Sequence, residues 1–407
     1  MINQAHLKQI IIFTDRYPYG KSESFFENEL AYLAKQYEQV ILFPIDSANN
    51  NFKRQTPGNV VIIKPVYFNF KSKKELIRKG ICNSSPILPF IIEFFKSNCW
   101  KSANKTWNLI AYGLVSRALL NAFSKEQWQF EKSSVLYFYW GLRWSQVLPF
   151  LPLNFEKKIL IRFHGSDLYE YTNHNYIPFR DKQVRRADWI AFISEMGRKY
   201  LIERYPSATS KSSVERLGTK DYGLNPYHKT AKIHLVSCSN MVALKRLHLI
   251  VESLAFFDVP VKWTHLGDGP LFMEIKKAIE SLPSSIQIDL VGAKSHSDLM
   301  MFYKSNSIDL FVNVSSSEGV PVSVMEALSF GIPVIATDVG GTQEIVDNTV
   351  GSLVDANITP EALAIEIKKC LNNPDYMDFK KNARTRWEQM SNEEILIPNF
   401  FKKLASL

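Results

Sequence analysis

The chain has 407 residues, 46% of them hydrophobic and 13% aromatic, which suits two α/β units of roughly 150 to 200 residues each better than one core. Its formal charge of +9 is uneven, +14 over residues 1–230 and −5 over 231–407, yet no zinc-finger spacing, RNA-binding sheet signature or basic-region heptad accompanies the basic half, so nucleic acid is set aside as a partner. The longest apolar stretch, residues 86–95, is about half of a membrane span and carries Pro86, Pro89 and Glu93, which excludes a bilayer crossing there.

Residues 1–8 lack the charged start, long apolar segment and cleavage site of an export signal, so the expected location is the cytoplasm. Residues 9–14 read as an apolar opening strand, 15–22 as a loop, and 23–36 as a helix whose Phe25, Phe26, Leu30 and Leu33 pack on a sheet. Strands follow at 40–43 and 60–63. The basic run 71–79, beside Cys82 and the apolar stretch, is expected to rest on an anionic membrane at the inner face of the cell membrane. A solvated helix face beside a core helix accounts for the same residues. Residues 84–124 read as helical, 134–139 as a strand, 143–149 as a helix and 158–163 as a strand that delivers His164. Residues 188–193 are the last recognisable strand of the first sheet, with a helix at 195–204. Four widely spaced cysteines, Cys82, Cys99, Cys238 and Cys370, form neither a C-x-x-C pair nor a metal cluster.

The turn-rich segment 218–227 marks a linker. Strands at 233–237, 261–266 and 286–290 then alternate with helices at 245–256, 270–281 and 295–303, the pattern of a parallel sheet covered on both faces. The unbroken apolar run 308–314 is a buried strand. After it come Glu318-Gly319-Val320-Pro321-Val322 and, one turn into the next helix, Glu326. Free N–H groups and the positive dipole end at such a helix start attract a diphosphate, and ionised glutamates accept hydrogen bonds from sugar hydroxyls. Lys245 follows the first strand of this half, where an ammonium can neutralise a diphosphate. Past residue 355 the chain reads as mostly helical.

The spacing of Glu318 and Glu326 resembles the E-x7-E signature of the retaining family 4 glycosyltransferases (glycosyl transferases group 1). His164-Gly165-Ser166-Asp167, the Lys245 region, Leu266-Gly267-Asp268-Gly269-Pro270 and residues 331–346, with Asp338-Val339-Gly340-Gly341, are similar to that family as well. The resemblance implies an α/β GT-B fold, two Rossmann-like domains facing across a deep cleft. The expected bounds are an acceptor-binding domain 1–220, a nucleotide-sugar-binding domain 221–385, and a helical segment 386–407 that returns to the first domain. It implies that Glu326 holds the nucleotide ribose, Glu318 the donor sugar, Lys245 the departing diphosphate, and His164 the reacting centre in a positioning role. Gly319, Val320, Pro321, Val322 and Gly20 are expected to line the donor by their backbone. Many relatives carry an arginine where this chain has Asn240, which donates a hydrogen bond without charge, and Arg246 is a candidate for the missing cation. The implied reaction is metal-independent retaining transfer of a hexose from a nucleotide diphosphate sugar, the co-substrate in place of any cofactor, to a glycan or lipid-linked glycan in cell-surface polysaccharide synthesis. The alternatives are a catalytically degenerate sugar-nucleotide-binding partner subunit, a sugar-nucleotide epimerase and a phosphorylase.

Overall fold

A computed structural model describes residues 7–20, 23, 25–47, 53–66, 88–127, 130–152 and 155–407. The basic run 71–79 and Cys82 lie outside them. The chain divides into one unit of residues 1–215 with Ile397–Leu407, and a second of Arg216–Leu396.

The first unit is built on a parallel sheet of β1 (Leu7–Thr14), β2 (Tyr37–Pro44), β3 (Val60–Ile62), β4 (Val135–Phe138), β5 (Lys158–Phe163), β6 (Trp189–Phe192) and β7 (Ser212–Val214), in the order β3-β2-β1-β4-β5-β6-β7. Its strands read as continuous apolar runs because both faces are covered. Ile11, Phe13, Leu136, Phe138, Ile161 and Phe163 pack on one side. Ile10, Ile12, Tyr137 and Leu160 pack on the other, with Phe26, Leu30 and Leu33 of the helix Phe26–Gln36 and with Phe400, Phe401 and Leu404 of the final helix. Inside this second layer Arg162 donates to Glu29 at 2.6 Å and to the Tyr137 hydroxyl at 3.1 Å, so the buried guanidinium is paired.

The structure refines three local expectations. The helical reading of 84–124 breaks at Asn98, whose φ of 52° ends the helix Leu88–Lys96. A 3-10 turn then precedes the helix Ala103–Glu126, capped by Ser102. Arg143–Phe150 is 3-10 rather than α, with Pro149 inside it. The first sheet does not end at β6: β7 pairs with it in parallel, and its short Ser-Ser-Val sequence carries no apolar run to betray an edge strand.

The second unit holds β8 (Ile233–Cys238), β9 (Val261–Leu266), β10 (Ile286–Gly292), β11 (Leu310–Asn313), β12 (Val334–Thr337) and β13 (Gly351–Val354) in the order β10-β9-β8-β11-β12-β13, all parallel. The order reverses between β8 and β11, and an open parallel sheet binds ligands beyond the carboxyl ends of the two strands at such a point. Lys245 follows β8 and Glu318 follows β11.

Candidate active site

Past β8 the chain makes a short 3-10 turn, Ala243–Lys245, before the helix Leu247–Leu254 begins. The helix expected from Lys245 thus starts two residues later, because Arg246 adopts a left-handed φ of 48°. That kink sets Lys245 and Arg246 to separate tasks. Lys245 Nζ lies 2.6 Å from Glu318 Oε1, in a pair with side chains 22% and 11% exposed. Arg246 donates to the carbonyls of Val314, Ala356 and Ser315. Three of its five donors are thus committed to backbone, while the guanidinium keeps its charge next to Lys245 in sequence. Asn240 is exposed on the loop just before.

The Glu318 loop is held from three sides. Ser316 N donates to Leu244 O at 2.9 Å, which ties it to the lysine loop. Thr337 Oγ1 of β12 donates to Ser315 O at 2.5 Å, and Asn313 Nδ2 reaches Glu318 Oε1 at 3.4 Å. On the third side, Gly341 N donates to Gly319 O at 2.6 Å. Gly340 has φ +55°, and a Cβ there would stand 1.8 Å from Glu318 O, so only glycine permits the approach. The Gly340-Gly341 pair therefore presses the loop into shape. Gly267, with φ +148°, does the same for the loop after β8, where a Cβ would meet Ser239 O at 1.8 Å.

Pro321 occupies the N-cap of the helix Val322–Ser329, beside the buried Val320. The N–H groups of Val322 and Ser323 start that helix with no partner four residues back. Glu326, on its second turn, has a 7% exposed side chain and lies 2.9 Å from His296 Nε2. His296 is the first residue of the helix His296–Ser305 after β10, capped by Ser295. Sequence reading missed His296, although its place at a strand-to-helix transition was a usable signal. Burial and the nearby Glu326 charge push the Cys238 thiol up to about 12, so it stays neutral beside this carboxylate.

His164 and Gly20 belong to the first unit. The imidazole Nε2 lies 3.0 Å from Tyr139 O, so Nε2 is the protonated nitrogen and Nδ1 keeps a lone pair. Burial, then the Arg162 charge, lowers its pKa to about 3, and the ring packs on Trp140 at 4.3 Å. Asp167 accepts from His164 N at 2.9 Å and Gly141 N at 2.5 Å. In the loop after β1, the N–H groups of Asp15, Arg16 and Tyr17 donate to the Glu23 carboxylate at 3.1, 2.7 and 2.7 Å, and Trp140 Nε1 adds a fourth bond at 2.6 Å. Those donors serve an internal anion, and the buried Gly20 stands beyond them with φ 71°. Burial pushes the Asp15 carboxyl up to about 7 against the pull of Arg143, with Glu23 and Asp167 adding to the rise. Neither Asp15 nor Glu23 was singled out from sequence, since a lone acid in a loop gives no sign of burial. Among the described residues no three His, Cys, Asp or Glu side chains gather as metal ligands.

Residues 226–386 match the family described as Glycosyl transferases group 1. The putative colanic acid biosynthesis glycosyltransferase WcaL of Escherichia coli K12 is 27% identical over 268 residues, 61% of this chain and 64% of that protein, so the match spans less than two thirds of its length. The amylovoran biosynthesis glycosyltransferase AmsK of Erwinia amylovora is 22% identical over 98% of each chain. Among solved structures, sucrose-phosphate synthase from Thermosynechococcus elongatus superposes with a TM-score of 0.70 at 16% identity over 98% of both chains. Anabaena HepE in complex with UDP superposes with a TM-score of 0.66 at 16% identity, over 98% of this chain and 100% of that one. These likenesses, with the two parallel sheets, establish the expected α/β GT-B fold.

Proposed function

We propose that this chain, whose residues 226–386 form a glycosyl transferases group 1 domain, is a retaining glycosyltransferase that moves a hexose from a nucleotide diphosphate sugar to a hydroxyl of a glycan or lipid-linked glycan in cell-surface polysaccharide synthesis. The observation that carries the reading is the ion pair of Lys245 and Glu318 at the strand-order reversal, on loops locked to each other. Polysaccharide-building relatives support the acceptor class, and the HepE complex with UDP supports a nucleoside diphosphate as the ligand of such a fold.

In this reading the Lys245 ammonium and the N–H groups of Gly319, Val320 and Val322 receive the diphosphate, aided by the helix dipole, and no metal is called on. Glu318 accepts hydrogen bonds from the donor sugar and Glu326, steadied by His296, from the ribose. The bond from the anomeric carbon to the diphosphate breaks as the acceptor oxygen bonds to the same face, and the acceptor proton passes to the departing diphosphate. His164, neutral with its Nε2–H fixed on Tyr139 O, orients rather than ionises.

The test is release of nucleoside diphosphate from a panel of uridine, guanosine and adenosine diphosphate sugars with a glycan acceptor. Turnover is expected to fall by about 10²-fold or more in Lys245→Ala and in Glu318→Ala, with unchanged melting temperatures. Wild-type turnover retained by both variants would sink the proposal. A wild type that binds nucleotide sugar without turnover would favour the non-catalytic partner, the reading that Asn240 in place of arginine supports.

A further inference from the structure

The first sheet has a strand-order reversal of its own, between β1 and β4, and an open parallel sheet takes ligands beyond the carboxyl ends of its strands at such a point. Asp15 stands one residue past β1, and Arg143 five residues past β4. Their two loops are tied together. Glu23 accepts from the N–H groups of Asp15, Arg16 and Tyr17 in the β1 loop and from Trp140 Nε1 in the β4 loop. Further along the β4 loop, Arg180 Nη1 and Gln183 Nε2 donate to Gly141 O at 2.9 and 2.8 Å, while Gly141 N donates to Asp167.

This bracing commits most of the charge around the reversal. Glu23 is taken up by four donors, Asp167 by the N–H groups of His164 and Gly141, and Arg180 by the carbonyls of Gly141 and Asp167. His164 is held neutral. Two ionisable groups are left over. The Arg143 guanidinium is exposed and, among the described residues, makes no hydrogen bond or ion pair. Its backbone nevertheless holds a left-handed φ of 63°, a conformation that a residue with a side chain keeps only where the surroundings enforce it. The Asp15 carboxyl is partly buried and likewise accepts no hydrogen bond among the described residues, yet it lies close enough for the Arg143 charge to act on it.

A carboxyl and a guanidinium in reach of each other ordinarily pair, and these two are held apart on braced loops. A ligand that satisfies both offers hydroxyls to the carboxyl and an anion to the guanidinium, whose fork matches the oxygens of a carboxylate or a phosphate. A neutral sugar would leave Arg143 idle.

We propose that the first unit reads the acceptor as an anionic sugar, with Asp15 accepting hydrogen bonds from its hydroxyls and Arg143 binding its carboxylate or phosphate. That the ligand is a sugar acceptor rests on the sugar-transfer reading, while the preference for an anion belongs to this pair alone.

The test is ligand-observed NMR titration of the full chain with methyl glucuronide, glucose 1-phosphate and methyl glucoside at low salt. Wild type is expected to bind one of the two anionic probes at least about tenfold more tightly than the glucoside, and the one preferred tells carboxylate from phosphate. Arg143→Gln, at an exposed position that leaves the melting temperature unchanged, is expected to bring that probe down to the level of the glucoside. Asp15→Ala is expected to weaken the preferred probe by about tenfold. Lys245→Met is expected to keep the preference, since that lysine belongs to the second unit, and both first-unit variants are expected to bind nucleoside diphosphate as wild type does. Equal binding of charged and neutral probes by wild type, no binding of any probe, an undiminished preference in Arg143→Gln, or its loss in Lys245→Met would overturn the proposal. An anion preference that depends on Arg143 in a protein that binds no nucleoside diphosphate would uphold this site and count against the sugar-transfer reading instead.

Discussion

At the scale of single residues, neighbours in sequence take opposite roles. Lys245 and Arg246 are both cations after β8, and a backbone φ of 48° at Arg246 sends one to Glu318 and the other to three carbonyls. Sequence marked the pair as candidates but could not divide them, because a left-handed arginine has no signature. His164 was legible from its strand, yet its protonation state was not, since that depends on Tyr139 O and on burial. The consequence is measurable. With the folded pKa lowered from 6.5 to about 3, the unfolded chain binds the proton more readily, so the native state loses stability as pH falls through 6.5 toward 3 and is unaffected above. The stability difference between wild type and His164→Asn should therefore shrink on acidification, by at most about 1.4 kcal/mol per pH unit from this group. The His164 ring resonances should not titrate between neutrality and pH 5. A midpoint near 6.5 in those resonances would contradict the buried neutral imidazole.

At the scale of elements, the candidate site is a set of loops braced by other loops. The E-x7-E spacing could be read because Glu318 and Glu326 sit at a turn and on the helix it opens. The bracing could not, because Ser316 N to Leu244 O, Thr337 to Ser315 and Gly341 N to Gly319 O join residues far apart in the chain. Gly340 is where this bracing is most exposed to test. A methyl group at φ +55°, 1.8 Å from Glu318 O, must displace the loop that carries Glu318. Gly340→Ala is expected to cost about 1–3 kcal/mol of stability by strain and to reduce turnover beyond what the loss of folded protein explains. Wild-type melting and turnover in this variant would show that the loop is not held as described. The helix Leu88–Lys96 taught a different lesson. Its apolar sequence was open to two readings, a stretch resting on a membrane and a core helix, and the burial of Glu93 against Tyr176 is what shows that the apolar face is turned outward.

At the scale of the whole molecule, sequence alternation was enough to read two parallel α/β units, since strands covered on both faces are apolar throughout. The strands missed were short ones: β7 is three polar-leaning residues, β12 has only the four residues Val334–Thr337, and β13, Gly351–Val354, opens on a glycine. The first unit recovers Ile397–Leu407 from the end of the chain, where Phe400, Phe401 and Leu404 complete the layer under β1 and β4, and Phe400 lies beneath the Arg162 guanidinium at 5.0 Å. The chemistry proposed for the molecule nevertheless narrows to one cation on the β8 loop of the second unit. Its most direct test is calorimetric titration of the full chain with uridine, guanosine and adenosine diphosphates, wild type against Lys245→Met. One nucleoside diphosphate should bind wild type and lose at least about tenfold in affinity in the variant, as loss of a charge-assisted contact implies. Equal affinity in the two proteins, or no binding of any of the three to wild type, would contradict the assignment of this pair as the diphosphate site.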